Sequence, residues 1–180
     1  MKKLTLSVIL ISILLSSCDF DLGSDPVDQN KIPELPPLTT EGKNTLGCLV
    51  NGKVWVAKVP INLSGDVAFQ MGYDSITGHF GINSLWESQD YSIHQRLGFE
   101  SYINNLIVGN YKLYRNPAFP DFIDKIWKSY WVKSNLLNQI NIHYINKEKK
   151  IISGTFEFTV IDTINADTIK ITDGRFDGRY

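Results

Sequence analysis

Apolar and polar residues alternate along much of this chain at the two-residue period of a half-buried β-strand. In YSIHQRLGF, residues 91–99, Tyr91, Ile93, Leu97 and Phe99 fall on one face and Ser92, His94 and Arg96 on the other. In IISGTFEFTVI, residues 151–161, Ile152, Phe156, Phe158 and Val160 oppose Ser153, Thr155, Glu157 and Thr159. LGCLVNGKVWV, VAFQMGY, HFGIN, LIVGNYKLY, INIHYI and DTIKI continue the pattern. Asn51-Gly52 stands between two apolar runs, and both central positions of a type I′ turn need φ above zero, so it predicts a tight hairpin. DSITG at 74–78 predicts a second turn. Such spacing predicts an all-β domain, an antiparallel β-sandwich or partly closed barrel of about eight to ten short strands.

Two stretches depart from simple alternation. In PDFIDKIWKSYWV the apolar residues fall at 122, 123, 126, 127, 130 and 131, a helical stripe that Asp121 can cap. One short helix near 121–131 and an aromatic-rich strand both fit that pattern. In DTIKITDGRF, Ile169 and Ile171 share the inner face, and Phe176 follows Ile171 at an odd interval. Burying Phe176 as well requires an extra residue to be absorbed near Asp173-Gly174, as a bulge.

The N-terminus has another character. Lys2 and Lys3 precede LTLSVILISILL, an uncharged run too short for the roughly 20 apolar residues of a membrane-spanning helix. Leu15-Ser16-Ser17-Cys18 then resembles the lipobox of bacterial lipoproteins, in which the cysteine thiol is alkylated with diacylglycerol and the chain is cut before it. That resemblance implies a signal peptide over 1–17, a lipidated (palmitate-type) Cys18, and a protein anchored in the cell envelope, at the outer membrane. An ordinary secretory signal with a chance cysteine is the alternative. A lipidated Cys18 cannot pair with Cys48, which is then read as a small buried residue of the first hairpin.

Residues 19–44 hold four of the seven prolines and six acids against two lysines, the composition of a flexible spacer. Segments 1–17, 18–44 and 45–180 therefore read as signal peptide, lipidated spacer and one domain. The formal charge is −1, and −3 once Lys2 and Lys3 are removed, so no basic surface for nucleic acid is expected.

The C-terminal stretch IISGTFEFTVIDTINADTIKITDGRFDGRY, with LPPLTTEGKNTLGCLVNGKVW and GNYKL, resembles a family of lipoproteins from the Bacteroidota phylum. The resemblance implies a lipobox, a short spacer and an all-β domain of unknown function. It supplies no catalytic residues.

Candidate chemistry is sparse. His79, His94 and His143 alternate to the solvent side of their strands without metal-ligand spacing. Asp162, Asp167, Asp173 and Asp177 gather near the last hairpin without a calcium-loop motif and read as turn formers. There is no nucleophile elbow, phosphate loop or dinucleotide fingerprint, and no cofactor or metal is expected. Trp86, Trp127, Tyr130 and Trp131 are the candidate ligand contacts, since aromatic faces on a β-sandwich stack on sugars, although buried core is the competing role. Asp-Ser/Thr-apolar triplets, which carry O-linked glycans in secreted proteins of that phylum, mark Ser75 and Thr163. The expected function is a non-enzymatic, lipid-anchored binding or accessory module. Its partners are the membrane and a glycan or protein. An envelope hydrolase acting on glycans or peptidoglycan and a purely structural envelope protein are the alternatives.

Overall fold

The computed structural model describes residues 34–60, 65–90, 92–113, 121–123, 129–132, 138–162 and 165–180. Cys18, Trp127 and Thr163 lie outside them, as does the expected lipobox. Eleven strands are described: β1 (Thr45–Val50), β2 (Lys53–Val56), β3 (Phe69–Tyr73), β4 (His79–Glu87), β5 (His94–Tyr102), β6 (Gly109–Lys112), β7 (Asp121–Ile123), β8 (Ser129–Val132), β9 (Asn138–Asn146), β10 (Ile151–Ile161) and β11 (Thr168–Arg179). The described residues include no helix. The segment at 121–131 that fitted either helix or strand contributes β7 and β8, because pairing to β5 and β10 overrides the local helical stripe.

All strand pairings are antiparallel, and the sheet does not close into a barrel. One layer follows the order β2-β1-β11-β10-β9-β6 and the other β3-β4-β5-β7-β8. Strand β10 joins them: residues 151–158 pair with β9, and Val160 and Ile161 pair with Val132 and Trp131 of β8. A second seam forms where Lys58 N donates to Leu85 O and Glu87 N donates to Lys58 O. Between the layers, Phe99 of β5 packs against Phe156 and Phe158 of β10 at ring separations of 5.1 and 6.1 Å, and Phe80 of β4 meets Phe176 of β11 at 6.4 Å. Burying each such ring contributes about 2–3 kcal/mol, which makes this aromatic seam the main adhesive of the sandwich.

The turn chemistry follows the expectation. Asn51 and Gly52 have φ of 49° and 80°, the type I′ signature, and Asn51 also bonds Lys170 of β11 through both its N–H and its Oδ1. In DSITG the Asp74 carboxylate accepts from Ile76 N and Thr77 Oγ1. The bulge in β11 is present. Phe156 pairs with Gly174 but Phe158 with Ile171, so three residues of β11 span two of β10. The left-handed residue there is Asp173, at φ 51°. Gly174 serves closeness instead: a Cβ would stand 2.5 Å from the Phe156 ring. Ile171 and Phe176 are consequently both buried.

The same bulge turns Asp177 to the outer side of β11, where it is 1% exposed. Its Oδ2 accepts from Thr39 Oγ1 at 2.5 Å, Glu41 N at 3.0 Å and Lys43 N at 3.3 Å, while Oδ1 accepts from Gly42 N at 2.9 Å and Ser153 Oγ at 2.7 Å. Composition assigned residues 34–44 to the spacer and Asp177 to a turn. Instead Asp177 is a buried hub, and the chain ahead of β1 is strapped to it, with Arg179 Nη2 adding a bond to Glu41 O. Proline and charge describe how a segment behaves alone; a distant carboxylate that satisfies its backbone donors reverses the outcome.

Burial alone would raise the Asp177 pKa, but the donors from Ser153, Thr39, Gly42 and Glu41 hold it below the ordinary carboxylate range. A lowered folded-state pKa contributes stability that is complete above the unfolded value near about 4 and lost as pH falls through the folded value. We expect Asp177→Asn to cost about 2–3 kcal/mol in urea unfolding at pH 7 and to flatten the acid limb of Tm against pH. A variant as stable as the parent, with an unchanged acid limb, would show that Asp177 does not hold the strap.

Candidate ligand-binding trough

Strand parity sorts the side chains of β3, β4 and β5. Phe69, Phe80, Ile82, Leu97 and Phe99 point into the core. The opposite face presents the cross-strand pairs His79·Tyr102, Gly81·Glu100, Asn83·Gly98, Leu85·Arg96 and Glu87·His94. On β3, Gln70 lies opposite Asn83 and Gly72 opposite Gly81. Where glycines replace side chains the sheet surface is hollowed into a trough of about 570 Å³, whose lining also includes Asn44 and Arg179. A smaller hollow of about 250 Å³ adjoins it, sharing Val67, Gln70, Asn83 and Arg96.

The strand glycines divide by what a methyl group would meet. At Gly47 a Cβ would lie 2.4 Å from Pro36, at Gly154 2.3 Å from the Asn141 carbonyl, and at Gly178 2.4 Å from Phe69 of the facing layer. Packing requires glycine there. At Gly72 nothing stands within 4 Å, and at Gly81 the nearest atom is the flexible Glu100 Cγ at 3.4 Å. Glycine inside a strand costs roughly 0.5–1 kcal/mol relative to alanine. At these two paired positions no internal contact accounts for that cost, and what glycine provides is the open floor.

The walls carry planar polar groups. Gln70, Asn83 and Arg96 are exposed. His79 Nε2 lies 3.5 Å from Glu100 Oε2, and with side chains 38% and 47% exposed this pair contributes little to stability. Tyr102 is 56% exposed and outside the trough's lining, with its ring centroid 5.3 Å from that of the lining residue His79, so an aromatic surface stands beside the trough next to His79. At the other end of the ladder His94 Nδ1 lies 3.0 Å from Glu87 Oε1, and Glu87 Oε2 is buried without a hydrogen-bond partner. On the outer face of the other layer a hollow of about 370 Å³ is lined by Gln139, Asn141, Thr155, Glu157 and Arg175. Gln139 bonds Glu157 across it, and its lining holds no exposed aromatic ring.

Of the aromatic residues expected to touch ligand, the three that are described do not line the trough. Trp86 is half-buried against the core, on the same face of β4 as Phe80 and Ile82; Tyr130 is buried in the core; Trp131 is half-buried in β8. Trp86 and Tyr130 turn inward because they follow the apolar parity of their strands, whereas Trp131, between the buried Tyr130 and Val132, takes the opposite parity of β8. Ser75 is exposed in the β3–β4 turn. Cys48 is fully buried and burial pushes its thiol pKa far up, so it is not a nucleophile at neutral pH. His79, His94 and His143 all face outward, as alternation predicts, and among the described residues no three His, Cys, Asp or Glu side chains gather as a metal site. Tyr102 and the glycine floor escape a reading by linear pattern. Their signal is positional: Gly72, Gly81 and Gly98 each interrupt the outward series of a strand. Comparison with protein-family models, with curated proteins and with solved structures finds no match to this chain.

If the floor glycines are not needed for folding, Gly72→Val should leave thermal stability unchanged or raise it by up to about 1 kcal/mol, through better strand propensity. Gly178→Ala should unfold at markedly lower temperature. Calorimetric melting of both variants checks this, and a Gly72→Val protein as damaged as Gly178→Ala would mean that packing requires both glycines.

Proposed function

We propose that this chain is a lipid-anchored cell-envelope protein whose β-sandwich is a non-enzymatic binding module, with the trough on β3-β4-β5 as its ligand surface. The observation that carries the reading is the pair of strand glycines, Gly72 and Gly81, kept where no internal contact requires them and where their absence of side chains opens the trough. The Leu15-Ser16-Ser17-Cys18 lipobox supports the anchor: acylation at Cys18 adds about 0.8 kcal/mol of membrane affinity per buried CH₂. The strap at residues 39–43 fits this reading, since it fixes where the chain leaves the domain.

Glycoside hydrolysis is the weaker reading for this face. Glu100 lies opposite Gly81, and Glu87 is six residues further along β4, so these carboxylates stand about 20 Å apart, against roughly 5–10 Å for a hydrolytic pair.

Two measurements test the proposal. Cys18→Ala should move the full chain from the membrane fraction to the soluble fraction; continued membrane association would end the anchoring claim. The double variant Gly72→Val/Gly81→Ala, which fills the floor, should fold normally and lose retention of envelope components that the wild-type chain retains. Equal retention by both proteins would remove the trough from the function.

A further inference from the structure

We infer that the ligand of the trough is an oligosaccharide chain, lying along β5 with a sugar ring on Tyr102 and its hydroxyl groups bonded by Gln70, Asn83 and Arg96. The inference rests on the binding reading above and names its ligand class. Four features of the surface bear on the choice.

The first is the aromatic ring. A phenol on a sheet surface, 56% exposed and held by a neighbouring imidazole at 5.3 Å, is a preoriented apolar platform with a wet surround. The C–H face of a pyranose matches it, because one face of a sugar ring is apolar while its rim is polar.

The second is the kind of polar group beyond it. A primary amide, a second amide and a guanidinium are planar and offer several donors or acceptors in fixed geometry, which suits adjacent hydroxyls on a ring. Tyr102 and Arg96 are six residues apart on β5, a span of about 20 Å, which is longer than a single sugar ring. Affinity should therefore grow with chain length.

The third is charge. Among the lining residues Glu100 is the carboxylate, paired with His79, and Arg96 and Arg179 are the guanidiniums, the second donating to the Lys149 and Glu41 carbonyls, so the trough presents no strong field of one sign. That argues for a neutral or weakly acidic chain rather than a polyanion.

The fourth is what the floor lacks. It is backbone already bonded within the sheet, so an extended peptide lying over it gains no main-chain ladder. A peptide would instead add to the outer edge of β3, which among the described residues pairs with β4 alone.

The full chain, purified from membranes in detergent, should be applied to an array of microbial, plant and host oligosaccharides, beside the Gly72→Val/Gly81→Ala and Tyr102→Ala variants. We expect binding that strengthens from mono- to oligosaccharide, falls roughly tenfold in Tyr102→Ala, the factor expected for one lost stacking contact, and disappears in the filled-floor variant at unchanged Tm. In parallel, the immobilised chain should capture material from an envelope extract, with one portion oxidised by periodate, which cleaves vicinal diols, and another digested with protease. Trough-dependent capture lost to periodate and surviving protease supports the inference. Capture lost to protease and surviving periodate overturns the glycan assignment while the binding reading stands. No trough-dependent binding on the array or from the extract overturns both.

Discussion

One inserted residue in the last strand sets most of this architecture. Without the bulge at Asp173, strict alternation after Ile171 would turn Phe176 to solvent and Asp177 into the aromatic seam. With it, Phe176 meets Phe80 and Phe156 across and along the sandwich, Gly178 gives way to Phe69 of the facing layer, and Asp177 points outward to receive the strap. Core, interlayer approach and N-terminal attachment all follow from the same change of parity. The facing layer is then held at a distance at which β3, β4 and β5 can spend their outward positions on polar and glycine residues. Its inner face already supplies the adhesion.

The division of labour between the two faces explains what could be read along the chain and what could not. Asn51-Gly52, the Asp74 turn and the bulge were legible because each is local: a few residues determine the φ values or the parity. The sandwich class was legible because burial of one face imposes a period of two. Asp177 was not, because its strap donors lie more than 130 residues away, Ser153 meets it only through the β10–β11 register, and nothing near it in sequence differs from a turn-forming aspartate. The trough was hidden for a related reason. Gly72 and Gly81 are opposite each other only through the β3–β4 register, and Tyr102 meets His79 only through the β4–β5 register. Aromatic residues drew attention by type, yet Trp86 and Tyr130 follow the apolar parity of their strands and pack with the core. The exposed ring is one that parity sets on the polar side.

The account of function joins two kinds of support. The proposed lipobox bears on where the domain is held, and the strap holds residues 39–43 against Asp177 of β11. Strand glycines without a packing requirement, an exposed tyrosine and planar polar side chains bear on what the free face does. A domain selected only for stability gains by filling such a floor, since strand propensity favours almost any β-branched residue over glycine. An open floor at a cost in stability is the mark of a surface shaped for something outside the chain.

The most direct measurement is the map of backbone amide shifts of the full chain, in detergent, on titration with an oligosaccharide selected from the array. The account predicts perturbations on β3, β4 and β5 around Gly72, Gly81, Gly98 and Tyr102 and at the lining residues Asn44 and Arg179, with Gln139, Asn141 and Glu157 on the other layer unchanged. Perturbations centred on Gln139, Asn141 and Glu157, or spread evenly over both faces, would contradict it.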